Sequence, residues 1–173
     1  METELSLNGP ASGRIDGWRA FQDRFRSMLP LLAASSGECR WVDPDFGQWP
    51  LGERAVTEQL QQWMLEHGDA KLTLVAGQFE VMQRAHPRWL SWRQTWSHRV
   101  GCWLASDEIV PDLRAMVLWR DRSGDRAGLR MLDAVTAVGQ WTTDPAVLAL
   151  WQADFDAYLQ RSSEGIPCTT LGL

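Results

Sequence analysis

The strongest constraint on the fold is an alternation of amphipathic helices with short apolar strands in the first half of the chain. Apolar residues recur at three- and four-residue steps over 15–29, which predicts a helix that ends at Pro30. A short strand at 38–42, a helix at 53–66 and a strand at 71–76 follow. Strands separated by helices in this way predict a parallel core with helices on its faces.

The second half adds two short helices, three strands and a closing helix, predicted over 79–84, 87–96, 100–104, 114–120, 129–132 and 144–162. The second and third of these strands flank a polar turn and predict an antiparallel hairpin. Asp144 before Pro145 is typical of a helix start. We therefore predict one α/β domain over 15–173, with a mixed, mainly parallel sheet flanked by helices, after a flexible N-terminus at 1–14.

Composition and length indicate a globular protein and exclude several functions. The 173 residues are enough for one domain with a substantial core, and 45% of them are hydrophobic. A net charge of −5 argues against nucleic acid as a partner, since such binding needs a basic surface. No apolar run approaches the ~18 residues that span a bilayer, so we expect no membrane association. Three cysteines without a CxxC pair favour reduced thiols and a cytoplasmic location.

Motifs for metal and cofactor binding are missing from the sequence. His67, His86 and His98 form no HExxH pattern, so no metal is expected. The glycines form no GxGxxG, and Lys71, the one lysine, has no glycine-rich loop before it. Without GxSxG there is also no nucleophile elbow of a hydrolase. We therefore predict no cofactor.

Eleven tryptophans offer two uses, core packing or stacking on a ligand. Most of them occupy helix or strand positions that suit a core. Trp41, Trp49 and Trp103 lie in or near loops and strand ends, where an indole is better placed to meet a ligand. We therefore include these three among the candidate ligand-binding residues.

The segment 86–98 contains three tryptophans, two arginines and two histidines. One interpretation is a stacking and anion-binding surface that includes Arg88 and His98. The other is a helix whose tryptophans pack on the sheet while its arginines remain in solvent. The helical spacing of the tryptophans favours the second interpretation.

Acidic residues follow two of the predicted central strands. Asp43 and Asp45 come after the first strand, and Asp107 and Glu108 come after the strand at 100–104. Ligands of open parallel sheets bind beyond the carboxyl ends of the strands. Carboxylates at that place suit a metal or acid–base chemistry. An enzyme of hydrolase or phosphodiesterase type is therefore an alternative hypothesis.

The predicted hairpin resembles the motif of phospholipase D-type domains, HxKxxxxD followed by a glycine–serine pair. Arg114 falls at the histidine position and Met116 at the lysine position. The aspartate and the glycine are retained and leucine replaces the serine, at Asp121, Gly128 and Leu129. The closing helix and the preceding order of elements also match. Over 38–173, the resemblance implies a phospholipase D-like topology.

In that family a histidine nucleophile, with a second histidine as general acid, cleaves a phosphodiester that paired lysines hold. Arginine is permanently protonated and has no lone pair for attack, and methionine cannot hold a phosphate. The resemblance therefore implies a degenerate relative with no catalytic residue. Arginine still suits phosphate, so we expect a small anionic ligand near Arg114, Arg120 and Asp121, or a protein partner. A homodimer formed through exposed tryptophans is a third hypothesis.

The same region is also similar to a family of small proteobacterial proteins that has no assigned activity. The similarity includes the segment from Pro87-Arg88 to Ser97-His98 and the last five residues, 169–173. It implies no further site residue.

Overall fold

The computed structural model describes residues 11–166. The strands are β1 (Ser12–Asp16), β2 (Gly37–Asp43), β3 (Lys71–Ala76), β4 (Val100–Ala105), β5 (Met116–Asp121), β6 (Gly124–Asp133), β7 (Val138–Thr142) and β8 (Ser162–Ile166). The helices are α1 (Gly17–Ala33), α2 (Arg54–Glu66), α3 (Glu80–Ala85), α4 (Pro87–Thr95) and α5 (Pro145–Gln160). No helix in this part of the chain is both long enough and apolar enough to cross a bilayer.

All eight strands form one sheet in the order β1-β7-β6-β5-β2-β3-β4-β8. The predicted mixed α/β sheet is confirmed, with β2, β3 and β4 as its parallel core. The other five pairings are antiparallel, so the sheet is not mainly parallel as expected. The sheet has more antiparallel pairings than expected because the sequence pattern does not predict β1, β7 or β8. Their sequences, SGRID, VGQWT and SSEGI, contain few apolar residues and become strands through their paired neighbours.

The N-terminal elements also differ from the prediction. β1 begins at Ser12 and pairs with β7, so residues 12–14 are not part of a flexible tail, while residues 1–10 lie outside the described part. α1 continues through Pro30 to Ala33 instead of ending at the proline. Leu32 and Ala33 beyond the proline are buried, so packing outweighs the loss of one helical hydrogen bond in the last turn.

Helices cover both faces of the sheet. α1 and α2 pack on one face, over a core that contains most of the large aromatic side chains. α5 covers the other face, where Phe155 and Trp151 pack against Met116 and Leu118 of β5. This second core therefore includes side chains of β5, the strand that contains part of the phospholipase D-like motif.

Every tryptophan of the chain is buried or half-buried. Trp41 is 0% exposed and Trp49 is 2% exposed. Trp49 packs on Trp41, Phe46 and two α1 phenylalanines at ring-centre distances of 4.8–5.5 Å. Trp41 in β2 and Trp49 in the loop after β2 both pack against Phe25 of α1, so their burial argues against the expectation that they meet a ligand. Trp103 is half-buried against the α5 core.

Candidate functional site

Arg114 and Met116, which align with the catalytic histidine and lysine of phospholipase D-type domains, do not offer the chemistry of those residues. Arg114 lies just before β5 and is half-buried, and its Nη1 donates to the carbonyl oxygens of Pro111 and Leu113, both at 2.9 Å. Met116 is 0% exposed and packs in the α5 core with Val42. The first side chain is therefore tied to the backbone, and the second does not reach solvent.

The two retained residues of the motif have structural explanations. Asp121 accepts from the Ser123 N–H at 2.7 Å and from Arg126, which closes the β5–β6 turn. Burial raises the pKa of this carboxyl, but the hydrogen bonds from Arg126 and Ser123 outweigh it and leave the pKa below its ordinary value. At Gly128 a Cβ atom would lie 3.0 Å from the Trp151 ring, so the glycine lets α5 pack closely on β6.

A cavity of about 230 Å³, called here the Arg114 cavity, opens at the carboxyl end of β2. Its polar lining comes from Asp43, Asp45, Gln48 and Arg114, with Trp18 at one side and several apolar residues beneath. Two of the predicted acidic residues therefore share a cavity with Arg114. Asp107 and Glu108 are exposed and do not line it, and Glu108 pairs with Arg161 instead.

Asp43 is the buried acid of this cavity, at 4% exposure. Its Oδ2 accepts from the backbone N–H groups of Asp45 at 3.1 Å and Phe46 at 2.7 Å. Loss of solvation raises the pKa of Asp43 to about 6, although these N–H groups oppose the rise. The Trp49 indole also lowers the pKa slightly, but its N–H does not reach hydrogen-bond geometry with Oδ1. The carboxyl therefore shapes the loop and titrates close to neutral pH.

A larger cavity of about 370 Å³, the Arg120 cavity, lies at the opposite end of β5. It is lined by Gly37, Glu38, Asp69, Lys71, Arg120, Asp121, Arg122 and Gly124. Arg120 and Asp121, two predicted ligand residues, therefore lie together, whereas Arg114 is about 20 Å away along the strand, at ~3.3 Å per residue. The sequence alone does not predict Lys71 at this site, because its position depends on the register of β3 against β2.

The remaining predicted residues are not brought into either cavity. Arg88 is exposed and donates to the Gly52 carbonyl oxygen at 2.7 Å. His98 is exposed, with its ring 6.1 Å from that of Trp96. Trp103 lines neither cavity. The segment 86–98 therefore follows the structural interpretation, with Trp89 and Trp92 buried in the core.

The other nucleophiles and metal ligands of the described part are dispersed. His67 Nε2 lies 3.0 Å from the Ala33 carbonyl oxygen, and His86 Nε2 lies 2.8 Å from that of Phe46. Burial raises the pKa of the Cys39 thiol to about 12. Among residues 11–166, no three His, Cys, Asp or Glu side chains form a group that could hold a metal ion.

Comparisons with known proteins support the fold. No protein-family model and no curated protein matches this chain. A solved structure of TrmBL2, an archaeal chromatin protein with a novel mode of DNA binding, is similar with a TM-score of 0.62 and 14% identity. The match covers 95% of this chain and 56% of TrmBL2, so the chain spans about half the length of that protein.

Two further solved structures match the chain over nearly their whole length. Nuc from Salmonella typhimurium, a phospholipase D family member, has a TM-score of 0.57 and 7% identity, with 92% of this chain and 100% of Nuc covered. NucT from Helicobacter pylori has a TM-score of 0.56 and 6% identity, with coverages of 90% and 99%. Identities this low show the fold alone. The chain therefore has a phospholipase D-like α/β fold.

Proposed function

We propose that this chain is a non-catalytic, cytoplasmic protein that binds a small anionic ligand or a protein partner, as a degenerate relative of the phospholipase D-type domains. One observation carries the proposal. The family's nucleophile position is held by Arg114, which is bonded to two carbonyls, and its lysine position by Met116, which is fully buried. A guanidinium remains protonated and has no lone pair with which to attack phosphorus.

The described histidines and the Cys39 thiol offer no replacement for the nucleophile in either cavity. His67 and His86 are engaged with backbone carbonyls, and His98 lies outside both cavities. With its raised pKa, the Cys39 thiol is protonated at neutral pH and therefore a poor nucleophile. Cys39 and Cys102 are buried and form no disulfide within residues 11–166, which supports a reducing compartment and therefore the cytoplasmic assignment.

A second candidate function is acid–base catalysis in the Arg114 cavity. The observation that favours it is the pKa of about 6 at Asp43, because general acids and bases work best near the ambient pH. Against it, Oδ2 of Asp43 is already engaged by two backbone N–H groups, and Asp107 does not join the cavity. We therefore rank binding above catalysis.

Other partners are less well supported. TrmBL2 binds DNA, but the net charge of −5 argues against nucleic acid for this chain. A homodimer built on exposed tryptophans gains little support, because all eleven are buried or half-buried.

Hydrolysis of bis-p-nitrophenyl phosphate tests the proposal. We expect no turnover above the blank between pH 5 and pH 8 for the wild-type chain, Arg114→Ala or Asp43→Asn. Turnover that is lost in Arg114→Ala would overturn the non-catalytic assignment. Turnover that persists in Arg114→Ala and is lost in Asp43→Asn would overturn it in favour of acid–base catalysis.

A further inference from the structure

Three residues of the Arg120 cavity belong to a row of alternating charges that crosses four strands. Lys71 of β3 pairs in register with Glu38 of β2, which pairs with Arg120 of β5, which pairs with Asp125 of β6. Side chains in register on neighbouring strands project from the same face. Arg122 in the adjoining turn adds a third cation to the same cavity.

The three carboxylates that line this cavity have their shortest polar contacts with groups other than the cations of the cavity. Glu38 is 3.1 Å from Arg40, and Asp69 accepts from the Ser36 hydroxyl at 2.6 and 2.8 Å. Asp121 is held by Arg126 and by the Ser123 N–H. These ion pairs and hydrogen bonds engage the three carboxylates more closely than the cations that line the cavity do.

The three cations of the cavity, in contrast, have long contacts with their partners or no partner. Arg120 lies 3.5 Å from Asp125 and 3.9 Å from Glu38, and Arg122 lies 3.3 Å from Asp69. A charge-assisted N–H···O bond is about 2.7–2.9 Å long, so all three contacts are loose. The Lys71 ammonium is exposed and has no ion-pair or hydrogen-bond partner among residues 11–166.

Two glycines line the cavity, and the local backbone favours glycine at both positions. At Gly37 a Cβ would lie 2.2 Å from the Arg120 carbonyl oxygen, and φ is +152° there. Gly124 has a φ of +118°, which also favours glycine. Both positions therefore lack side chains where β2 and β6 begin, next to the three cations.

We propose that the Arg120 cavity binds a small oxyanion with two negative charges, of the terminal-phosphate type, between Lys71, Arg120 and Arg122. This site lies at the opposite end of β5 from the family's catalytic positions, and it rests on the proposed function only in that the chain is a binding protein. The oxyanion would give Arg120 and Arg122 shorter hydrogen bonds than their present ones and would give Lys71 a partner.

Titration with inorganic phosphate, followed by amide chemical shifts at low ionic strength, tests the site. We expect saturable shifts at Gly37 and Gly124, and affinity at least about tenfold weaker in Lys71→Gln and in Arg120→Gln. The matched control is Arg54→Gln, since Arg54, like Arg120, is an arginine in an ion pair but does not line the cavity. Its affinity should equal that of the wild-type chain.

A second arm separates a terminal phosphate from an internal phosphodiester. Dimethyl phosphate, which carries one charge, should bind at least about tenfold more weakly than phosphate, and equal binding would overturn the assignment of a doubly charged ligand. An absence of saturable shifts, or equal affinities in wild type and Lys71→Gln, would overturn the site itself. Lys71 is exposed and forms no ion pair or hydrogen bond within residues 11–166, so we expect this variant to keep the fold, as its far-UV circular dichroism would verify. The outcome is independent of bis-p-nitrophenyl phosphate hydrolysis, so the two proposals fail separately.

Discussion

Asp43 offers a stability prediction whose size follows from its burial. The carboxyl is 4% exposed, and loss of solvation raises its pKa from the ordinary 3.8 to about 6. A tenfold change in proton affinity corresponds to about 1.4 kcal/mol, so the charged form costs the folded state about 3 kcal/mol. Because the folded pKa is raised, the contribution of Asp43 is fully present below about pH 4 and is lost as the pH rises through about 6.

Asp43→Asn removes this dependence on pH. The amide keeps an acceptor oxygen for the N–H groups of Asp45 and Phe46 but cannot ionise. We expect the free energy of unfolding of Asp43→Asn, relative to wild type, to rise by about 2–3 kcal/mol between pH 4 and pH 8. Urea unfolding followed by tryptophan fluorescence measures it. A difference that stays constant over this range would refute the assignment of a desolvated carboxyl.

Asp69→Asn serves as the control of opposite sign. The Ser36 hydroxyl is the main group that lowers the pKa of Asp69. The stabilisation by Asp69 is therefore present at neutral pH and is lost as the pH falls through its lowered pKa. Relative to wild type, Asp69→Asn should lose stability as the pH rises, whereas Asp43→Asn gains it.

Three further predictions concern the fold. Gly128→Ala brings a Cβ within 3.0 Å of the Trp151 ring and should cost about 1–3 kcal/mol in thermal unfolding, whereas Gly68→Ala, with nothing within 4 Å, should cost less than that. Asp144→Ala removes the acceptor of the Ala146 N–H at the start of α5 and should cost about 1 kcal/mol in urea unfolding. Because every tryptophan is buried or half-buried, iodide should quench the native fluorescence far less than that of the urea-unfolded chain. Equal quenching in the two states would contradict the placement of the tryptophans.

Elements with a strong local signal could be predicted from the sequence. β3 has the predicted bounds Lys71–Ala76, and α5 starts where Asp144 and Pro145 indicate. Strands β1, β7 and β8 lack a local signal, since the pairing that creates them joins residues as far apart as Ser12 and Thr142. Local propensity also failed at Pro30, where buried residues beyond the proline extend the helix.

The site was harder to predict because its geometry depends on register. Arg114 and Arg120 are only six residues apart in the motif. Because β5 is extended, however, the two residues lie near opposite ends of that strand. Lys71 joins Arg120 only through the pairing of both strands with β2. Proximity to a strand end suggested that Trp41 and Trp49 face a ligand, whereas the loop after β2 turns inward and buries Trp49.

Hydrolysis of bis-p-nitrophenyl phosphate by the purified chain, beside Arg114→Ala, tests the central claim most directly. The claim is that a phospholipase D-like fold has been retained without its catalytic pair, since Arg114 is bonded to carbonyls and Met116 is buried. The account predicts that both proteins release p-nitrophenol no faster than buffer alone. Release by the wild-type chain that disappears in Arg114→Ala would contradict it.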